Sequence, residues 1–433
     1  MKPVRRIQRD VRYGSVRWLT GKKSNWRWQV NMQILVLNSG SSSIKFSIYR
    51  TAAGGEGVEV VLDGELSGVG SMQAVMKIAG SGELKLDAST LKVAVAAVFG
   101  AVAEADPSKI DAAGYRVVHP GAKLRGHQKL TPEVLQELGT ACAFAPLHDP
   151  QVLEVIRAGM ERFPGIPHFA CFDTVFHETM PEEATTYAIP ADLRAQGLRR
   201  YGFHGLSCES VVRQMRRQME LPRRLAIAHL GSGCSVTAVL DGHSIENTMG
   251  LTPTGGVVMG TRPGDLDPGL VLYLLRQQKG SAADATGAVE KMMNHDAGLV
   301  AVSGMKNDVN AMRAAAAAGN AQAHLALKVF TRSVTKALGA YCFLLGGLDA
   351  IVFAGGIGEH DAETRAEVLA GLQALGIELV AEESGAAGEV RRISAPQSAV
   401  AVFVVPADED EMIAMHVLQM AQDESAGSTD TTP

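Results

Sequence analysis

Residues 33–49 read Gln33-Ile34-Leu35-Val36-Leu37-Asn38-Ser39-Gly40-Ser41-Ser42-Ser43-Ile44-Lys45-Phe46-Ser47-Ile48-Tyr49, and the fold is decided here. The apolar run Ile34–Leu37 is of buried-strand type, and a small polar turn follows it. Ile44, Phe46 and Ile48 then alternate with Lys45, Ser47 and Tyr49, a period of two, so the chain leaves the turn as a second strand. A P-loop would instead read GxxxxGK[ST] and open a helix. The expected device is a β-hairpin whose turn presents backbone N–H groups and hydroxyls, a concavity suited to anions. Lys45 adds a point charge for a β- or γ-phosphate.

Working outward, the same device recurs about 190 residues later. Leu225–Ala228 runs into His229-Leu230-Gly231-Ser232-Gly233-Cys234-Ser235, then Val236–Leu240 and an Asp241-Gly242 turn. A third Gly-rich turn, Gly355–Gly358, follows the strand Ala350–Phe353. Before it, Val329, Phe330, Val334, Leu338, Tyr341, Cys342 and Leu345 recur at helical spacing and define one buried stripe. Strands alternating with helices make the chain α/β, and the paired hairpins predict a duplicated fold whose halves face each other. The tail from about Ala421 is small and polar, and disorder is expected over 422–433.

The formal charge of −5 hides an asymmetry. Residues 1–31 hold nine of the 41 Lys/Arg and one of the 46 acids, so the remainder holds 32 bases and 45 acids, a balance of −13. An acidic body argues against nucleic acid as a partner. Five scattered cysteines with no CxxC pair are cytoplasmic usage. The longest apolar stretch, about Val93–Ala103, is far short of the roughly 20 residues of a membrane span. All three tryptophans, Trp18, Trp26 and Trp28, lie in the basic lead. It reads as an unrelated extension, a mis-set start with Met32 as the true first residue; a targeting arm is the alternative.

Several segments then pack rare residue types together. Arg116 and His119 end an apolar strand, and His148 sits in a Pro-bracketed turn. Asp173 follows the apolar run Cys171-Phe172, while His204 and Arg262 occupy Gly-bracketed loops. Singly, each is an ordinary structural residue. Together they are what phosphoryl transfer requires, several cations around one transferring group.

The ordered motifs VLNSGSSSIKF (36–46), YRVVHPG (115–121), PLHDP (146–150), FDTVFH (172–177), RRYGFHG (199–205), HLGSG (229–233), GTRPGDLDP (260–268), VFAGGIGE (352–359) and VPADEDEMIA (405–414) resemble those of acetate kinases, from about Ile34 to Ala414. The resemblance implies two duplicated actin-like (ribonuclease H-like) domains with an inter-domain nucleotide cleft. One would span 32–177, completed by a C-terminal helix of about 411–421, and the other 178–410. It implies ATP and Mg²⁺ (Mn²⁺ may substitute), acetate as acceptor, a cytoplasmic homodimer and no membrane. Carried over by motif, Asn38 and Glu409 match magnesium-associated positions. Lys45, His229, Leu230, Gly231, Ser232, Gly233, Asp308, Val309, Asn310, Gly356, Ile357, Gly358, Glu359 and His360 match the nucleotide site. Asp173, His204 and Arg262 match catalytic positions, Arg116 the carboxylate-binding arginine, and Val118, Leu147, Phe203 and Pro253 the methyl pocket.

The chemistry agrees with these residue types. A carboxylate acceptor is ionised at neutral pH and needs no general base. Asp173 is therefore expected to orient the metal or an arginine, while Arg116, Arg262, His204 and Mg²⁺ offset anion–anion repulsion. Departures from the motifs gather on the nucleotide side. Ser232 and Cys234 stand where Asn and Ser are usual, Asn310 where Arg is usual, and His360 where Asn is usual. Thr254-Gly255 replaces Leu-Glu beside the pocket proline. Propionate or butyrate as acceptor, or an ATP-binding module without turnover, are the rival readings.

Overall fold

The computed structural model describes residues 32–40, 42–52, 57–105, 109–142, 149–380 and 389–427. The basic extension 1–31, Leu147, His148 and the tail 428–433 lie outside them.

The first sheet comprises β1 (Gln33–Ser39), β2 (Ser43–Thr51), β3 (Val58–Ser67), β4 (Ser71–Ile78), β5 (Glu83–Ala88), β6 (Ala112–Val117), β7 (Gln128–Lys129) and β8 (His168–Phe172), in the order β5-β4-β3-β2-β1-β6-β8-β7. The second comprises β9 (Arg224–Leu230), β10 (Cys234–Leu240), β11 (His243–Asn247), β12 (Ala350–Ala354), β13 (Arg391–Arg392) and β14 (Ala401–Val404), in the order β11-β10-β9-β12-β14-β13. Their centres are the same pattern. β3-β2-β1 and β11-β10-β9 are antiparallel, and β6-β8 and β12-β14 then continue parallel to β1 and β9. This duplication is the actin-like architecture.

Within β1 the run Ile34–Leu37 is apolar without a break because both faces of the strand are covered. Leu35 and Leu37 enter one core, while Ile34 and Val36 meet Met412, Ile413 and Val417 of the C-terminal helix Glu409–Gly427. That helix lies so close to β6 that a Cβ on Gly114 would stand 2.6 Å from Val417. The chain end thus returns to the first sheet and delivers Glu409 to the cleft. The helix also runs past the polar tail expected from Ala421, as far as Gly427. Met420 and Ala421 pack on the core, and Glu424 pairs with Lys129 at 2.7 Å, which extends it.

Both hairpins form as read, with Asn38 opposite Lys45 and Leu230 opposite Cys234. At the next turn Asp241 (φ 52°) and Gly242 (φ 85°) are both left-handed, as a tight two-residue hairpin requires. Two expectations change. Gly355–His360 is a short helix, not a turn; Glu359 accepts the N–H of Gly355 at 2.9 Å and closes it. Within helix Ala321–Leu344, Phe330, Val334, Leu338, Tyr341 and Cys342 are buried, but Val329 falls beside the stripe and is exposed.

Candidate active site

A cavity of about 1270 Å³ opens where the two sheets' hairpins meet. Asn38, Lys45 and Arg116 line it from the first sheet. His204, His229, Ser232, Gly233 and Glu409 line it from later in the chain. A neighbouring cavity of about 280 Å³, sharing Ser232, Gly356 and His360 with it, is lined also by Gly231, Val309, Asn310 and Ile357.

Arg116 ends β6 and meets Asp173, which leaves the adjacent β8. Nε donates to Oδ1 at 2.9 Å and Nη2 to Oδ2 at 2.5 Å, a bidentate pair with Asp173 only 1% exposed. Nη1 donates to Asn38 Oδ1 at 3.3 Å, and Nε lies 3.4 Å from Glu409 Oε2. Asn38 Nδ2 donates to Glu409 Oε2 at 3.1 Å and to Asp410 Oδ1 at 2.9 Å. Burial raises the Asp173 carboxyl to about 6 against the pull of Arg116, so at neutral pH the pair is ionic. Burial also pushes Glu409 upward, but Arg116, His229, Asn38 and Lys45 outweigh it and hold Glu409 below its ordinary value.

His204 (φ 60°) immediately precedes helix Gly205–Gln218, in which Gly205 donates to the carbonyl of Asp173 at 2.7 Å. Its Nδ1 contacts Ser235 Oγ at 2.9 Å, and its ring stacks on His229 at 4.2 Å. His229 Nδ1 contacts Ser207 Oγ at 2.7 Å. Burial, then His229, Arg116 and Arg262, hold His204 well below the imidazole range; burial takes His229 down to about 4. Both rings are neutral at pH 7. Sequence reasoning counted His204 among the cations, whereas burial holds its ring in the neutral form. Arg262 Nη1 donates to Pro253 O at 3.0 Å. A Cβ on Gly233 would stand 3.2 Å from His204 Nε2 and 3.4 Å from Arg262 Nη1, so three separate motifs converge on this turn.

Of the methyl-pocket residues, Val118 and Phe203 share one buried cluster, and Pro253 is buried beside Arg262. Phe203 is held through its carbonyl by His177 Nε2 at 2.9 Å and Asn247 Nδ2 at 3.2 Å.

The nucleotide segments divide. Leu230 is wholly buried, and Gly358 O accepts from Arg365 at 2.8 Å; neither lines either of these two cavities. Asp308 caps helix Val309–Ala317 through Ala311 N–H at 3.0 Å and lines neither cavity. Glu359 Oε1 accepts from Gly355 and from Ala407 (3.3 Å), tying the short helix to the segment before Glu409. Arg313, one turn beyond Asn310, is committed to Asp361 and Thr364, each at 2.7 Å.

Sequence reasoning missed Asp410, Ser207, Ser235 and Asn247. The acid run 408–411 was the only available signal for Asp410, because partnership with residues near position 40 is not a local property. Elsewhere, His127, Glu209 and His416 bring ligand-type atoms within 4.8 Å of one another. His127 Nδ1 accepts the N–H of Phe172 at 3.0 Å, which leaves its proton on Nε2, and its ring centroid lies 4.0 Å from that of His416. This is a packing cluster rather than a ligand set.

The model of the acetokinase family matches residues 33–415. The chain is 38% identical over 397 residues to an acetate kinase of Rhodopseudomonas palustris, covering 90% of this chain and 98% of that protein. It is 40% identical over 393 residues to one of Deinococcus radiodurans, covering 88% and 96%. Among solved structures it is similar to the acetate kinase of Porphyromonas gingivalis (TM-score 0.78, 33% identity, covering 90% of this chain and 100% of that one). It is equally similar to a propionate kinase of Francisella tularensis (TM-score 0.79, 33% identity, covering 90% and 99%). Among the described residues no helix is long and apolar enough to cross a membrane.

Proposed function

We propose, from the premise that the chain belongs to the acetokinase family, that its cleft transfers a phosphoryl group between ATP and acetate by direct in-line displacement. The observation that carries this reading is the state of Arg116. Of its five N–H groups, two are held by Asp173 and one by Asn38, leaving two for a carboxylate. On this reading Arg116 binds the ionised acceptor, whose oxygen needs no base, and Asp173 is the arginine's anchor rather than a proton acceptor. Arg262 and the neutral His204 face the Gly231–Gly233 turn and meet the phosphoryl oxygens as their charge redistributes. Lys45 neutralises the nucleotide's phosphates, and the cavity lined by Val309, Asn310, Ile357 and His360 takes its base.

Asn38 and Glu409 stand together on the cleft wall, Asn38 Nδ2 donating to Glu409 Oε2 at 3.1 Å, and the Glu409 carboxylate is oxygen-donor chemistry that fits Mg²⁺ or Mn²⁺. When bound there, the ion would supply charge neutralisation and orientation of the phosphates.

Residues 32–177 with the C-terminal helix form one lobe in this reading, and 178–410 the other. The partner is a second copy of the chain. Leu270, Leu272 and Tyr273 stand exposed on helix Pro268–Gln277, and Phe343 and Leu344 at the end of the long helix, exposed apolar side chains that support a homodimer. Free cysteines and the acidic body support a cytoplasmic enzyme without nucleic-acid partners.

The test is hydroxamate trapping of the acyl phosphate formed from Mg-ATP with acids from formate to butyrate. Acetyl hydroxamate is expected, and none from any acid would overturn the reading. Propionate is the second reading, favoured by the likeness to a propionate kinase. One methylene in an apolar pocket changes selectivity by about 1–3 kcal/mol, which the panel resolves.

A further inference from the structure

Asn38 has one side-chain oxygen and two N–H groups, and all three are engaged, with the residue 7% exposed. Which end of the amide faces Arg116 therefore depends on the acceptors behind it. Glu409 is one, but its Oε2 lies also 3.4 Å from Arg116 Nε, and it sits where a metal ion would draw on it. Asp410 is the other. It is 8% exposed, takes one N–H of Asn38 through Oδ1 at 2.9 Å, and its Oδ2 lies 3.3 Å from Ser47 Oγ, whose single proton it shares with Asp63 at 3.0 Å. Lose Asp410, and one N–H of Asn38 is left without its acceptor, so the amide is free to swing away from the geometry in which its oxygen meets Arg116.

We propose that Asp410 is a positioning residue of the acceptor site: it locks Asn38 with its oxygen on Arg116, and so holds the guanidinium with two N–H groups directed to the carboxylate. This rests on the reading of Arg116 as the acceptor's arginine. The role is that of a hydrogen-bond acceptor, not of a charge. Asn at 410 preserves it, since its carbonyl accepts from Asn38 while its NH₂ donates to Ser47.

The test compares Asp410→Ala with Asp410→Asn in the full chain. Loss of one net hydrogen bond predicts an acetate KM raised about five- to tenfold in Asp410→Ala, with the ATP KM nearly unchanged. In Asp410→Asn the acetate KM stays within about twofold of the parent. The second readout needs neither metal nor turnover. In EDTA, phenylglyoxal modification of Arg116, followed by peptide mass spectrometry, accelerates several-fold in Asp410→Ala and keeps the parental rate in Asp410→Asn. Ser47→Ala, which releases the far oxygen of Asp410, should show the same pattern at smaller size, and it stands in if Asp410→Ala does not fold. Asp410→Asn as impaired as Asp410→Ala would overturn the proposal, as would parental labelling of Arg116 in Asp410→Ala and Ser47→Ala. The labelling result is independent of activity, so failure of the acetate reading itself would appear separately, in hydroxamate trapping by the parent.

Discussion

Gly205 donates its backbone N–H to the carbonyl oxygen of Asp173 at 2.7 Å, joining the acid that anchors Arg116 to the helix that begins just after His204. A Cβ on Gly205 would stand 2.2 Å from that oxygen. The contact exists only because the position is glycine, and it sets the distance between the arginine and histidine sides of the cleft.

Gly205→Ala should accordingly lower both stability and turnover. Forcing a methyl against fixed backbone costs about 1–3 kcal/mol, and the displacement falls on His204. Urea unfolding and kcat measured on the same preparation check this. A variant indistinguishable from the parent in both would show that the helix start is freer than the contact implies.

Arg262 and Arg116 should fail differently. Arg262 faces the turn where the phosphoryl group would sit, and contacts made only in the transition state appear in kcat. Arg262→Ala should cut kcat by roughly 10³-fold or more with a modest change in KM. Arg116→Ala should raise the acetate KM as well as lowering kcat. It also strands Asp173, 1% exposed, without its partner, a loss of about 3–5 kcal/mol for a broken buried pair. Its Tm should therefore fall further than that of Arg262→Ala. Near-normal kcat in Arg262→Ala would refute the transition-state role.

Acid inactivation should report Asp173 rather than the histidines. Burial raises Asp173 to about 6, whereas burial takes His229 down to about 4 and His204 well below its ordinary range. kcat/KM for acetate should fall as pH drops through about 6, where protonation breaks the grip on Arg116. For stability the sign is opposite. A carboxyl raised from about 3.9 in the unfolded chain binds its proton more tightly when folded. Its contribution is full below the unfolded value and is lost as pH rises through about 6. Asp173→Asn should remove both the acid limb of the rate profile and this stability term. A limb that persists unshifted in Asp173→Asn would assign it to another group.

Asn310 lines the smaller cavity with Ile357 and His360, and the nearest arginine on its helix, Arg313, is bound to Asp361 and Thr364. No side chain of that helix stands in for the usual arginine. Asn310→Arg should lower the KM for ATP and leave that for acetate unchanged, a charge-assisted contact being worth about 1.5–3 kcal/mol. An ATP KM that stays put or rises would mean that the pocket around Ser232 and His360 no longer accepts an arginine.

Much of the fold was legible along the chain. The alternation of Ile44, Phe46 and Ile48, the stripe from Phe330 to Cys342 and the Asp241-Gly242 turn are local patterns, set by the pitch of strand and helix. The unbroken run Ile34–Leu37 announced a strand covered on both faces, though not that residues 412–417 would cover one of them. The motifs placed Arg116, His204 and Arg262 in the candidate site but not their states, since burial, which makes His204 neutral, is a property of the assembled core.

Periodicity and turn chemistry extend over a few residues, so the sequence by itself determined the strands, the paired hairpins and the family. The pairing of Arg116 with Asp173 spans 57 residues, and that of Asn38 with Asp410 spans 372. Only the tertiary structure decided those, because the partner of a buried donor is whichever acceptor the packing of two sheets and a returning helix brings within 3 Å.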